Sequence, residues 1–158
     1  MTPAIKLAKN NNVTYTVHEY EHDAASEPYG LEAAKKLGIS ETRVFKTLVV
    51  RLNDDSLAVG ILPVASMLGM KLMAKAVGAK KAVMADIAEV ERMTGYVLGG
   101  VSPLGQKRQL KTVIDQSAKA FETIYVSAGR RGLEIELKPA DLQKMAASFF
   151  APIAMDTH

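Results

Sequence analysis

The sequence predicts an α/β domain with a mixed, curved sheet and peripheral helices. Three observations carry this reading. Strand-like and helix-like stretches are interspersed without the regular spacing of βαβ units, and several strands are joined by turns short enough for hairpins. No repeat, linker or low-complexity stretch divides the 158 residues, so 1–158 reads as one domain, long enough for a real core.

In chain order, Thr2-Pro3 supplies an N-cap and a proline at the first helical position, opening a helix that stops at Asn10-Asn11-Asn12. VTYTVHEY (13–20) alternates and is rich in Thr, Tyr and Val, hence a strand. Residues 24–28 read as loop, and 31–37 as a short helix closed by Gly38. Strands at 44–52 and 57–64 flank Asn53-Asp54-Asp55-Ser56, a hairpin signal. Ser66 is placed to cap a helix over 67–77 ended by Gly78, with Met67, Met70 and Met73 facing the core. A short strand at 80–84 precedes a helix capped by Asp86 and ended by Gly95. After the glycine-rich GYVLGGVSPLGQKR come strands at 112–115, 123–127 and 133–137, with AGRRG as the turn between the last two. Pro139 and Asp141 start a last helix through about 148, and the tail beyond it should fray.

Hydrophobic residues make up 48% and charged residues 23%, a globular balance. No apolar run approaches the ~20 residues needed to span a bilayer, and MTPAIKLAKN lacks the features of a signal peptide. With no cysteine there is neither a disulfide, a thiolate nucleophile nor a Cys-bound metal, which suits the cytoplasm. Charge is uneven: residues 56–114 hold eight basic and three acidic side chains, a local +5 against −2 for the remainder of the +3 chain. A basic middle is what a phosphate-bearing partner would select, though lysines also simply solvate helix surfaces.

Candidate chemistry begins at VFKTLVV (44–50). Alternation puts Lys46 on one face with Leu48 and Val50, so it is either a snorkelling lysine at a strand end or a cation aimed at a pocket. HEYEH (18–22) matches the HExxH zinc string, but it follows a strand and leads into a loop, whereas that motif needs a helix to bring both imidazoles to one face; the remaining histidine, His158, is terminal. Four of the eleven glycines fall between 95 and 105, matching neither a P-loop nor a dinucleotide fingerprint. They either make a turn or let main-chain N–H groups approach an anion. No serine sits in a nucleophile elbow. Glu134 and Glu136 share a strand face, which reads as a solvated edge.

MTPAIKL, HEYEHD, VFKTLVV, KAVGAKKAVMAD, TGYVLGGVSPLGQKR, FETIYVSAGRRGLEIEL and the helix after Pro139 together resemble the bacterial YbaK family of Cys-tRNA(Pro) deacylases, relatives of the editing insertion domain of prolyl-tRNA synthetase. The resemblance runs in order over nearly the whole chain and implies a strongly curved, barrel-like sheet. It also implies an activity: removal of cysteine mischarged onto tRNA(Pro), with Lys46 the residue needed for deacylation. Tyr20, Tyr29, Thr47, Gly99, Gly100, Ser102, Ser127 and Glu134 match substrate-pocket positions, no cofactor or metal is implied, and prolyl-tRNA synthetase is the expected partner. Glu134 stands where the family often has Asp, which shifts the carboxylate by more than ~1 Å, enough to matter in catalysis; Ala128 replaces a common Gly. In the resembled enzymes the substrate's own thiol attacks its ester. The competing readings are a deacylase preferring alanine or another small residue, and a non-catalytic tRNA- or synthetase-binding module. Oligomeric state is not readable from the sequence.

Overall fold

The computed structural model describes residues 1–23 and 29–156, with Tyr29 described by its main chain. The loop expected at 24–28, the Tyr29 side chain and His158 lie outside the described residues. Helix α1 (Pro3–Asn10) begins as its Thr2-Pro3 signal requires, Thr2 Oγ1 accepting from the Ile5 N–H. Strand β1 (Tyr15–Glu19) follows, then helix α2 (Tyr29–Leu37) and a 3₁₀ turn at Glu41–Arg43. The hairpin strands are β2 (Phe45–Leu52) and β3 (Leu57–Pro63). A two-residue β4 (Met67–Leu68), α3 (Met70–Val77), β5 (Ala82–Met84) and α4 (Ile87–Thr94) come next. The chain ends in β6 (Lys111–Asp115), β7 (Ile124–Arg130), β8 (Leu133–Leu137), α5 (Pro139–Met145), β9 (Phe149–Ala151) and β10 (Ala154–Met155).

The strands form a five-stranded sheet in the order β5-β2-β3-β6-β9, a three-stranded antiparallel sheet β1-β8-β7, and the pair β10-β4. The first is mixed, as expected: β2 runs antiparallel to β3 and β5, while β6 is parallel to β3 and β9. The main core lies between the two larger sheets, where Phe45, Val49, Val59 and Ile61 meet Ile124, Val126, Leu133 and Ile135. The other face of the five-stranded sheet buries Val50, Ala58 and Leu62 against Met73, Ala74 and Val77 of α3. A third cluster (Ala33, Ala34, Val44, Val64, Tyr125) seats α2.

Several expectations are corrected. Among the described residues the barrel is absent: every sheet is open, and the two larger ones meet in a single isolated parallel bridge, Val44 to Tyr125, beyond which the ladder does not continue. Ser66 does not cap α3. Gly69 takes the cap position, because Met67 and Leu68 are drawn into pairing with β10, which leaves Met67 exposed while Met73 is fully buried. The tail is ordered rather than frayed through β10, since the Asp115 carboxylate accepts from Ile153 N and Ala154 N at 2.9 Å each. Strand β7 runs on through a bulge to Arg130, shrinking the AGRRG turn to Arg131-Gly132. Finally, β8 is the central strand of its sheet rather than an edge, and Glu134 is fully buried. No helix among the described residues is long and apolar enough to cross a membrane.

Candidate active site

Lys46 enters the site because of how β2 is paired. Its side chain shares the α3-facing side of the sheet with Leu48 and Val50. Strand β5 covers the outer edge of β2 only at Val50–Leu52, so from Lys46 to Val49 that edge carries no ladder. The Val49 carbonyl accepts from Ala85 N on this side (3.1 Å). The two-residue repeat of a strand then aims the Thr47 N–H and C=O the same way, into the uncovered space. There lies a cavity of about 190 Å³, lined by Gly30, Lys46, Thr47, Leu48, Leu98, Gly99 and Val101.

The half-buried Lys46 donates from Nζ to the Val64 carbonyl at 3.3 Å and forms no ion pair among the described residues. Burial lowers its pKa from the ordinary lysine value, because desolvation penalises the charged form. An ammonium held in this way is preorganised to meet negative charge that develops on a substrate. A larger cavity of about 550 Å³, lined among others by Glu41, Pro63, Ala65, Phe121 and Asp156, has no lysine or arginine among the described residues of its wall.

The glycine-rich segment supplies the opposite wall. Leu98 N–H donates to Glu91 Oε2 at 2.9 Å, tying the loop to α4. Gly99 sits at φ +92°, a left-handed conformation that favours glycine, and its N–H has no acceptor among the described residues. Gly100 is a glycine for a different reason. A Cβ there would lie 2.8 Å from Arg130 Cα, and its N–H is already given to the Val97 carbonyl (2.9 Å), so Gly100 offers no donor while Gly99 does. Ser102 is fully buried behind the cavity wall, its Oγ accepting from Leu104 N at 3.2 Å.

Tyr20, Ser127 and Glu134 lie on one face of the β1-β8-β7 sheet, where Ser127 is directly opposite Glu134 in register. The Tyr20 hydroxyl is buried with no hydrogen-bond partner among the described residues, and burial, followed by the Glu134 carboxylate, pushes its pKa up to about 12. Thr47 Oγ1 is buried and unpartnered in the same way. Ser127 Oγ accepts from Gly129 N at 3.2 Å. The cavity thus unites Lys46, Thr47 and Gly99. Tyr20, Ser127 and Glu134 occupy the neighbouring sheet face, joined to it through Val64, which packs in one cluster with Tyr20 and Tyr125. The two histidines of HEYEH are committed elsewhere, His18 to Glu136 (2.9 Å) and His22 to Glu32 (2.8 Å).

Sequence reasoning missed Gly30, Leu98 and Glu32. Glu32 is fully buried on α2 and receives His22 Nδ1, the Asp23 N–H (2.9 Å) and Arg131 Nε (3.4 Å). Burial alone would raise its pKa; the hydrogen bonds from Asp23 and His22 and the nearby positive charges overcome that and lower it from 4.5 to about 2. A glutamate two residues after a glycine in the helix's first turn was the available signal, and it is a faint one.

A mixed sheet, a half-buried lysine and a glycine loop thus meet around one small cavity. Residues 29–145 match the aminoacyl-tRNA editing domain family, and the chain belongs to that family. It is 37% identical over 153 residues to EbsC of Enterococcus faecalis, by name a candidate Cys-tRNA(Pro)/Cys-tRNA(Cys) deacylase, covering 96% of this chain and 92% of that relative. Two solved structures share the fold. One is described as hypothetical protein APE2540 (24% identity, TM-score 0.86, 97% of this chain and 99% of that one). The other is described as a candidate trans-editing enzyme for prolyl tRNA synthetase (19% identity, TM-score 0.84, 97% and 95%).

Proposed function

We propose that this chain is, over residues 1–158, a single trans-acting editing domain that removes cysteine mischarged onto tRNA(Pro). The observation that carries the reading is the desolvated Lys46 ammonium in a cavity sized for a small aminoacyl group, within a chain of the editing family. The substrate thiol attacks the ester carbonyl; a carbon–sulfur bond forms, the carbon–oxygen bond breaks, and the proton lost by sulfur ends on the tRNA 3′ oxygen, leaving a cyclic thioester. Lys46 and the Gly99 N–H face the oxyanion and the leaving oxygen. One preorganised donor of this kind is worth about 3–4 kcal/mol, or roughly 10² to 10³ in rate. Thr47, Tyr20 and Glu134 bound the amino-acid end, with Gly100, Ser102 and Ser127 shaping the walls; the resemblance adds Tyr29, whose side chain lies outside the described residues. Requiring the substrate's own sulfur separates cysteine from alanine more sharply than a pocket's ~1–3 kcal/mol.

The reading places the protein in the cytoplasm, working with prolyl-tRNA synthetase. A pull-down that recovers no synthetase counts against that partnership. The test of the chemistry is deacylation of Cys-, Ala- and Ser-charged tRNA(Pro) by wild type and Lys46→Ala. Rapid loss from Cys-tRNA(Pro) alone, reduced on the order of 10²-fold or more in the variant, is expected. Turnover of Ala-tRNA at a comparable rate overturns the thiol-assisted route, and equal rates in both proteins remove Lys46 from it.

A further inference from the structure

Gly30 stands in the first turn of α2, where alanine would ordinarily make a better helix. Its φ lies outside the left-handed region, so backbone conformation does not explain it. Space does. A Cβ built on Gly30 would lie 2.1 Å from Val64 Cγ1 and 2.6 Å from Val64 Cβ, distances that real side chains do not tolerate. Val64 is the residue whose carbonyl holds Lys46 Nζ.

Neither partner in this contact is placed to retreat. Val64 is buried, and its N–H donates to the Val44 carbonyl at 2.9 Å. On the other side, α2 is fastened within the same turn by Glu32, which binds the segment after β1 through His22 and the β7–β8 turn through Arg131. A methyl group added between them must displace Val64, and with it the acceptor of the lysine.

We propose that Gly30 is a positioning residue for Lys46: by offering no side chain to Val64, it lets α2 press the Val64 carbonyl into the place where it holds the ammonium at the cavity wall. The chemical consequence rests on the deacylase reading above, whereas the geometric claim does not. The titratable and charged groups around this contact are Tyr20 just past β1, Tyr125 of β7 with Arg43 over its ring, Glu134 of β8, and Glu32 of α2 with His22, Lys36 and Arg131; among the described residues Lys46 forms no ion pair. Loss of burial is therefore what a displaced Lys46 would feel, and its titration should move up toward that of an ordinary lysine.

The experiment compares wild type, Gly30→Ala, Val64→Gly and the exchange variant Gly30→Ala/Val64→Gly, which returns one side chain to the contact. Acylation of Lys46 by an amine-reactive reagent is followed against pH by peptide mass spectrometry, with the exposed Lys75 as internal reference, and kcat and KM on Cys-tRNA(Pro) are measured alongside. In Gly30→Ala the Lys46 curve should shift toward that of Lys75, and kcat should fall on the order of 10²-fold, more than KM changes. The exchange variant should recover both relative to Gly30→Ala. If Gly30→Ala does not fold, the exchange variant folding with a wild-type Lys46 curve supports the proposal. A folded Gly30→Ala with an unmoved curve overturns it, as does an exchange variant no better than Gly30→Ala. A wild type silent on the charged tRNAs sinks the deacylase reading, while the acylation curves still judge the positioning.

Discussion

The two ends of β2 carry two cations in opposite circumstances. At one end Lys46 is half-buried beside an uncovered strand edge, held by a carbonyl and lacking any ion pair among the described residues. At the other end, about 17 Å along the strand, the edge is covered by β5, and Arg51 sits at the surface with Asp55 and Asp86 at 4.0 and 3.9 Å. The difference is one of withheld pairing. Where the ladder stops, main-chain groups and the hydroxyls of Tyr20 and Thr47, which lack partners among the described residues, are left for something else to satisfy, at a cost to stability. Where the ladder is complete, the charges are solvated and interchangeable. Lys46→Ala probes this contrast with the largest expected effect, the loss of deacylation described above, and it should not lower the melting temperature, because it removes a partly desolvated charge.

This asymmetry was half legible in the sequence. Lys46 showed itself as the one cation in an alternating apolar run, and Gly99 as part of a glycine cluster, because both signals are local. Gly30 could not be read, since its meaning depends on Val64, a contact far along the chain. Glu134 looked solvated because alternation reports which residues share a face, not which face is covered, and α2 settles that. Strands β4, β9 and β10 are two or three residues long, too short for period two to register, and the tail is pinned by the carboxylate of Asp115 rather than by any pattern of its own. The barrel expectation failed because the two larger sheets stay separate, touching among the described residues in the bridge at Val44 alone.

The next effect concerns how firmly the Lys46 end is held. Glu32 has its pKa lowered from 4.5 to about 2, so it contributes stability that is present above about pH 4.5 and is lost as pH falls toward 2. The full shift would correspond to about 3 kcal/mol. Its partners His22, Arg131 and Lys36 are each roughly a third exposed, and screening brings the expected contribution to about 1–2 kcal/mol. Denaturant unfolding of wild type and Glu32→Gln at pH 7 and pH 3 checks this: the gap between them should narrow at the lower pH. A gap that is constant with pH would mean that Glu32 acts through packing alone.

Thr47→Val tests the cost of the orphan hydroxyl. The substitution keeps the β-branched shape in a strand and removes a buried oxygen that has no partner among the described residues. It should stabilise the protein by about 1 kcal/mol, a rise of roughly 2–4 °C in melting temperature, while lowering deacylation. Greater stability with unchanged activity would assign Thr47 to the wall rather than to substrate contact.

The smallest expected effect, at the far end of the strand, decides whether the comparison holds. Arg51 pairs with Asp55 and Asp86 at distances near the limit of an ion pair, and both acids are more than four-fifths exposed. Water and salt screen such pairs, and holding three side chains in place opposes what attraction remains. Arg51→Ala should therefore change unfolding free energy by less than about 0.5 kcal/mol and leave deacylation untouched, with the difference from wild type vanishing in high salt. If it instead reduced kcat on the scale of Lys46→Ala, the two ends of β2 would be coupled, and the site would extend beyond the uncovered edge along the basic surface toward Lys80, Lys81 and Lys111. A rise in KM alone that steepens with salt would place RNA phosphate contacts there, separate from the chemistry at Lys46.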